Sequence, residues 1–466
     1  MSARLARFIL TARFSFRAPL ASLAPMAHAS DAPSSLPADF KPETLRGSPG
    51  FFRVGQTRRG QWWLVDAHNR PFFSKGVAGM NRAGRADGRS TQPGPYTAAV
   101  DKIYGLDDPQ AFVRAALARL EKWHFNTLGA WTGPEFFEQG FADTEILEFR
   151  RSGPEINAFG VKLPDVFDSR WAEACDRTAA EVCTPRRDSR GLIGYFTDHE
   201  LGWAQMRGEK SPTPAAAKKA RPSLLQICLS LEPSAAAYHA AWEFVLAARG
   251  GSLATLARAW GIDLPNKEML RQFTQAETPL HTPGYLRDHE NFSREFAHRY
   301  FTACATAIRR HDPNHLILGC RFSEPPGAAV LAECVYPAVD VLSANLHRTA
   351  MFDRLDDFHR AAGMPVFIGE FAWTGDAFTK QPGPHEPRGL TAVERMLRKG
   401  RAAMQRAFTH PALTGYAWQR WADAAGDAPP FGSGLVRLDD SEAREHTELL
   451  ADLNARAEKI RRAAAR

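Results

Sequence analysis

The feature that most constrains this chain is a repeat of short apolar runs, each followed by a helical pattern. The runs lie at 72–77, 126–131, 161–167, 192–196, 316–320, 339–344, 366–369 and 413–418. Between them, residues 108–123 place apolar side chains at 112, 113, 116, 117 and 120, the spacing of one helical face. Residues 169–183 open on Ser169, a favourable N-cap. Residues 294–310 are amphipathic and stop at Asp312-Pro-Asn314, and 392–408 stop at His410-Pro411. Strands alternating with helices predict a parallel sheet. Eight of them predict closure, so we expect an α/β chain forming a (β/α)8 TIM barrel.

Additions frame the repeat. Phe51-Phe-Arg-Val54, Gly60, Trp62-Trp-Leu-Val-Asp66 and Asn69-Arg-Pro71 predict a β-hairpin over 49–71. A long insertion, 201–290, separates strands four and five. It holds a Lys- and Pro-rich stretch, 210–222, expected to be a mobile loop, then helices at 234–248 and 252–260. Because it starts directly after Glu200, we expect it to wall a cleft. The catalytic-size domain then spans 49–455, with 30–48 as a Pro- and Ser-rich linker, 441–466 as a polar helix and 456–466 as a tail.

Two glutamates end two of the runs. Glu200 closes strand four, and Glu370 closes strand seven in Met364-Pro-Val-Phe-Ile-Gly-Glu370. Strand C-termini are where such barrels keep their reactive groups. Paired carboxylates about 5–5.5 Å apart can cleave a glycosidic bond with retention, one as acid/base and one as nucleophile. We assign the acid/base role to Glu200, with its pKa raised by burial and by its neighbour's charge, and the nucleophile role to Glu370.

The formal charge of +7 is not a nucleic-acid signature: residues 1–60 carry nine Arg or Lys and three acids, which leaves the rest nearly neutral. Residues 1–29 are acid-free, and Ala27-His-Ala29 fits a small-residue cleavage site, so this segment reads as a signal or targeting segment and the chain as periplasmic or secreted, or cytoplasmic otherwise. No run reaches the roughly 20 apolar residues of a membrane span. The six cysteines show no CxxC spacing, no His/Cys cluster accompanies them, and no metal or organic cofactor is implied.

The segment Gly194-Tyr-Phe-Thr-Asp-His-Glu200-Leu-Gly-Trp203 resembles the strand-four motif of clan A glycoside hydrolases, and in particular the β-agarases of glycoside hydrolase family 50, with similarity to family 42 β-galactosidases. The opening through Pro71-Phe-Phe-Ser-Lys-Gly76 resembles the lead into strand one of agarase-like chains, and Leu163-Pro-Asp-Val-Phe-Asp168 their strand three. The stretch 252–261 resembles the helix after the acid/base strand, 309–321 resembles strand five, and Val366-Phe-Ile-Gly-Glu370-Phe371 the nucleophile strand. The resemblance covers about residues 50–455 and implies a retaining hydrolase of β-glycosidic bonds in a galactan or agar-like chain. It also implies that Trp418 floors the subsite of the sugar under attack. Where the clan has Asn before the acid/base this chain has His199, and where it often has Tyr on strand six this chain has Asn345 and His347.

Other strand-end residues are candidate sugar contacts. Trp131 and Trp373 offer flat faces for stacking on sugar rings. Arg321 could anchor Glu370 or a substrate oxygen, and Asn81 could bind a hydroxyl or hold a turn. Asp198 reads as a backbone-orienting group, Asp168 as a helix cap and Lys75 as an ion-pair member. Two alternatives stay open: a clan A hydrolase of β-glucosides or β-mannosides, and a non-catalytic carbohydrate-binding barrel. Gly432-Ser-Gly434 is a weak phosphate-loop match.

Overall fold

The computed structural model describes residues 39–84, 93–203, 222–275, 282–380 and 389–465. Eight parallel strands close into a barrel. In chain order they are β1 (Ser74–Val77), β2 (Thr127–Leu128), β3 (Ala142–Ile146), β4 (Leu192–His199), β5 (Leu316–Phe322), β6 (Leu342–Asn345), β7 (Val366–Phe371) and β8 (Leu413–Trp418). Each strand pairs with the next in sequence, and β8 returns to β1. The expected TIM barrel is therefore present.

The third strand corrects the sequence reading. The run 161–167 does not enter the barrel; Val161–Pro164 pairs antiparallel with Glu155–Ala158 in an outlying hairpin. Its turn residues, Phe159 and Gly160, have φ of 53° and 70°, the left-handed pair of a tight two-residue turn. The true β3 carries Asp143, Thr144 and Glu145 on buried backbone, so no apolar signal marks it. Arg186 neutralises Asp143 at 2.6 Å, and burial pushes Glu145 up to about 7.

Helices follow most strands and pack outside them. They include Pro109–Lys122, capped by the Asp108 side chain, Arg170–Val182, Pro283–His311, Met351–Ala362 and Ala392–Phe408, the last with a Thr391/Glu394 capping box. Between β2 and β3 there is only a 3-10 turn, Pro134–Phe136. The eighth helix is Arg444–Ala464. The helix expected over 441–466 is present, but it continues through 456–464, where a tail was expected. Leu449, Leu450, Leu453 and Ala457 are buried, and the fully buried Arg461 donates to the carbonyls of Phe408, His410 and Trp62. A barrel with eight strands needs cover between β8 and β1, and this helix supplies it.

The hairpin strands Arg53–Gln56 and Trp62–Val65, joined by Pro71–Phe72, form an antiparallel sheet. It seals the end of the barrel where the strands begin: Trp62 N–H donates to Pro411 O, and Arg46 donates to Asp340 O. Residues 39–48, expected as the end of a linker, join this sheet through bridges of Phe40 with Thr57 and Arg46 with Val54. Among the described residues this sheet covers the strand N-termini, and the site described below lies at the strand C-termini. Of the insertion, Leu224–Ser230, Ala236–Ala247, Leu253–Trp260 and Lys267–Gln275 are helical; the stretch 210–221, like residues 1–29, lies outside the described residues.

Candidate active site

β4 ends at His199, and Glu200 follows in left-handed backbone, φ 46°. Few non-glycine residues adopt this conformation, and those that do are concentrated at functional turns. Here the Glu200 N–H donates to Arg321 O at 3.0 Å, which fixes the turn and leaves the side chain at the solvent-facing mouth.

Glu370 reaches the same point through an irregularity in β7. The pairing with β8 slips between Ile368 and Phe371. Gly369 faces the interior, where a Cβ would lie 2.7 Å from Arg321 Nε, yet the next residue, Glu370, also turns inward to Arg321. Two consecutive residues on one side is what a bulge permits in a strand that otherwise alternates. β5 has its own slip at Gly319, φ 68°, just before Arg321.

Three groups organise the two carboxylates. Arg321, wholly buried, places Nη2 2.8 Å from Glu370 Oε1. Its plane lies over Trp131, 4.6 Å from the ring centroid, so Arg321 anchors Glu370 rather than reaching for substrate. Asn345 donates through Nδ2 to Glu200 Oε1 at 2.8 Å and to Glu370 Oε2 at 3.4 Å, while its Oδ1 accepts from Arg321 Nε. The same Nδ2 stands 3.4 Å from His199 Nδ1, and the His199 ring packs edge-on against Trp131. His347 Nδ1 accepts from the Ala372 N–H, which leaves its Nε2 as the donor facing Glu370 Oε2 at 3.9 Å.

One oxygen of each glutamate and a ring nitrogen of His199 all lie within 4.8 Å of one another. Among the described residues this is the one such trio that could ligate a cation. Arg321 and Asn345 already direct donors at the Glu370 oxygens, an arrangement suited to holding an anion for chemistry rather than to releasing it to a metal. Burial pushes the Glu370 carboxyl above the usual glutamate range, Glu200's charge adds to this, and Arg321 and then Arg420 pull against it. The sequence reading makes Glu200 the buried carboxyl; in the structure Glu200 is exposed and Glu370 is the buried one. Burial also lowers His347.

The mouth leads into a cleft of about 360 Å³ lined by Tyr96, Trp131, His199, Glu370, Arg420 and Asp423 among others. Trp131 thus stands where the sequence placed it, with φ 61°. Asn81 holds its loop by donating to the carbonyls of Gly79 and Trp131, the turn role. Two tryptophans do not face the cleft. Trp418 and Trp373 are fully buried, 4.6 Å apart, and bond outward to Ser433 O and His446 Nδ1. The reason is parity. Tyr416, two residues before Trp418, points outward to Asn454 on the eighth helix, so Trp418 points the same way. Trp373 packs on helix Ala392–Phe408, where only a glycine, Gly400, leaves room for its ring.

Tyr96, Arg420 and Asp423 were not read from the sequence. Arg420 sits two residues beyond Trp418, in a stretch read only for its tryptophans. Asp198 accepts from the Arg150 N–H and from Tyr300, Asp168 caps at Arg170 N, and Lys75 pairs with Glu458. None of the residues lining the cleft comes from 222–275, and the part of the insertion nearest Glu200 lies outside the described residues.

The chain is similar to β-agarase A of Vibrio sp. (strain JT0107), 24% identical over 406 residues, which are 73% of this chain and 38% of that protein. It is 22% identical to β-agarase B of the same strain over 286 residues, 59% of this chain and 29% of that one. The chain therefore spans well under half the length of these curated relatives. The structure of an exo-β-agarase superposes with a TM-score of 0.68 at 19% identity, over 89% of this chain and 66% of that one. That of another agarase gives 0.68 at 20% identity, with the same coverage. No family model matches the chain. The resemblance to the agarase-like glycoside hydrolases read from the motifs is borne out by these matches.

Proposed function

We propose that this agarase-like chain is a retaining glycoside hydrolase that cleaves β-glycosidic bonds in a galactan or agar-like oligo- or polysaccharide. The observation that carries the proposal is the meeting of Glu200 and Glu370, from opposite sides of the barrel mouth, with oxygens within 4.8 Å and one amide, that of Asn345, between them. That spacing suits direct attack rather than a water held between the carboxylates, which needs about 6.5–9.5 Å. The β-agarase matches support the galactan side of the reading.

In the first step, Glu370 Oε2 attacks the anomeric carbon and Glu200, protonated, gives its proton to the departing oxygen. The C–O bond to the leaving sugar breaks as the glycosyl–Glu370 bond forms. In the second step, Glu200 takes a proton from water, the water oxygen attacks the same carbon, and Glu370 leaves as carboxylate. Arg321 holds that carboxylate in place, and the charge it carries is stabilised by two donors set before the reaction starts. Trp131, in the cleft lining, offers the sugar an aromatic surface, and the acid-free segment 1–29 supports action outside the cytoplasm.

Glu370→Ala is expected to remove turnover while the circular-dichroism spectrum keeps the shape of the parent's; the melting point is expected to fall, because the buried Arg321 loses its counter-charge. Glu200→Ala is expected to slow natural glycosides by about 10²–10⁴, and aryl glycosides with good leaving groups far less, because those need little protonation. Equal losses on both substrate types would take the acid role away from Glu200. Specific binding of agar oligosaccharides without any hydrolysis would favour a carbohydrate-binding barrel.

A further inference from the structure

Of the charged groups described at the cleft, Glu370 and Asp423 each have a cationic partner, whereas Glu200 accepts from the Asn345 amide and Arg420 makes no ion pair. Glu370 is held by Arg321, and Asp423 by Arg437 at 2.9 Å and by the Gly434 N–H. Arg437 is further occupied by Glu445. Arg420 has no carboxylate at ion-pair distance among the described residues, although its charge reaches Glu370, and its Nε is buried with no acceptor. Its position is nevertheless rigidly built. The strand Arg420–Ala422 pairs in parallel with Gly434–Val436, Arg420 opposite Gly434, and the flanking Trp418 is tied to Ser433 O at 2.6 Å. A half-buried guanidinium on fixed backbone, with a donor lacking an acceptor, is costly unless a ligand completes it.

A guanidinium is a permanent cation whose planar fork matches an oxyanion through two parallel bonds. Neutral sugar hydroxyls would satisfy a donor but would give the guanidinium no counter-charge at bonding distance. We propose that Arg420 reads an acidic substituent, a sulfate ester or a carboxylate, on the sugar bound in this cleft. The proposal rests on the cleft being the sugar site proposed above, and it deepens that reading from a neutral galactan to an acidic one. Gln419, beside it in the lining, supplies neutral donors and acceptors for the rest of the ring.

The test uses three probes: a galactan oligosaccharide bearing a sulfate ester, the same oligosaccharide desulfated, and one ending in a uronate. Binding is measured by titration calorimetry on Glu370→Gln, with and without Arg420→Met or Arg420→Lys, and turnover on the parent and on the two Arg420 variants. We expect one acidic probe to bind about tenfold or more tightly than the neutral one, since a charge-assisted pair contributes on that order. Which acidic probe gains names the source of the charge. The preference is expected to vanish in Arg420→Met, to return in part in Arg420→Lys, and to weaken in 0.5 M salt. Equal binding of acidic and neutral probes, no binding of any, or a preference that survives Arg420→Met overturns the proposal. Hydrolysis of the neutral probe without any preference would leave the hydrolase reading standing alone. An acidic preference in binding with no turnover on any probe would do the reverse.

Discussion

Arg321 opposes the effect of burial on Glu370, which pushes the carboxyl above the usual glutamate range. In the intact protein the acid limb of kcat/KM is expected above 4.5, the ordinary glutamate value, since burial raises this carboxyl. The sign follows from the mechanism: the nucleophile works ionised, so a raised pKa costs activity at the acid end. Arg321→Met removes the largest opposing influence, so the limb is expected to move to still higher pH. Because it leaves a buried carboxylate unpaired, the variant is also expected to lose about 3–5 kcal/mol in urea denaturation. An acid limb that stays put would show that Arg321 does not hold the nucleophile. Trp131→Ala is expected to raise KM about tenfold with a smaller change in kcat, the sign of a lost stacking face; a fall in kcat alone would place Trp131 elsewhere in the mechanism. The two glutamates were legible because each ends an apolar run. Asn345 and Arg321 were legible as strand-end polar residues, but the bridge Asn345 makes was not, since it depends on slips in β5 and β7. Trp418 and Trp373 misled because sequence gives a strand end without giving which way the side chain faces.

At the level of elements, the errors share one cause: a buried segment was judged by its apolarity. β3 holds Asp143 and Glu145, and its burial rests on Arg186 rather than on hydrophobic side chains. The run 161–167 is apolar because Val161, Leu163 and Val166 join the core and Phe167 stacks on Phe292 of helix Pro283–His311. The eighth helix looked polar because its charged face dominates the composition of 441–466, while the buried positions 449, 450, 453 and 457 keep helical spacing. That helix can be tested directly. Arg461→Ala would leave three buried carbonyls without their donor and is expected to destabilise the fold by about 2–4 kcal/mol, read in urea denaturation. Truncation after residue 455 is expected to be worse, removing Ala457 and Arg461 together. If the truncated chain melted like the parent, 456–466 would be a tail after all.

For the whole molecule, the architecture was the most legible property, because eight strand–helix repeats leave few alternatives to a closed barrel. Closure then explains the site. Among the described residues the N-terminal sheet covers one end of the barrel, and strands four and seven bring their terminal glutamates together at the other. The charge of the body is near neutral, so recognition falls to local groups such as Arg420 rather than to a general field. The central claim is that these two carboxylates act by double displacement. The most direct measurement is proton NMR of the sugar released in the first minutes of hydrolysis of a β-linked galactan oligosaccharide, before mutarotation. The β-anomer appearing first is the expected result. The α-anomer appearing first would mean single displacement by water and would contradict the role of Glu370 as nucleophile.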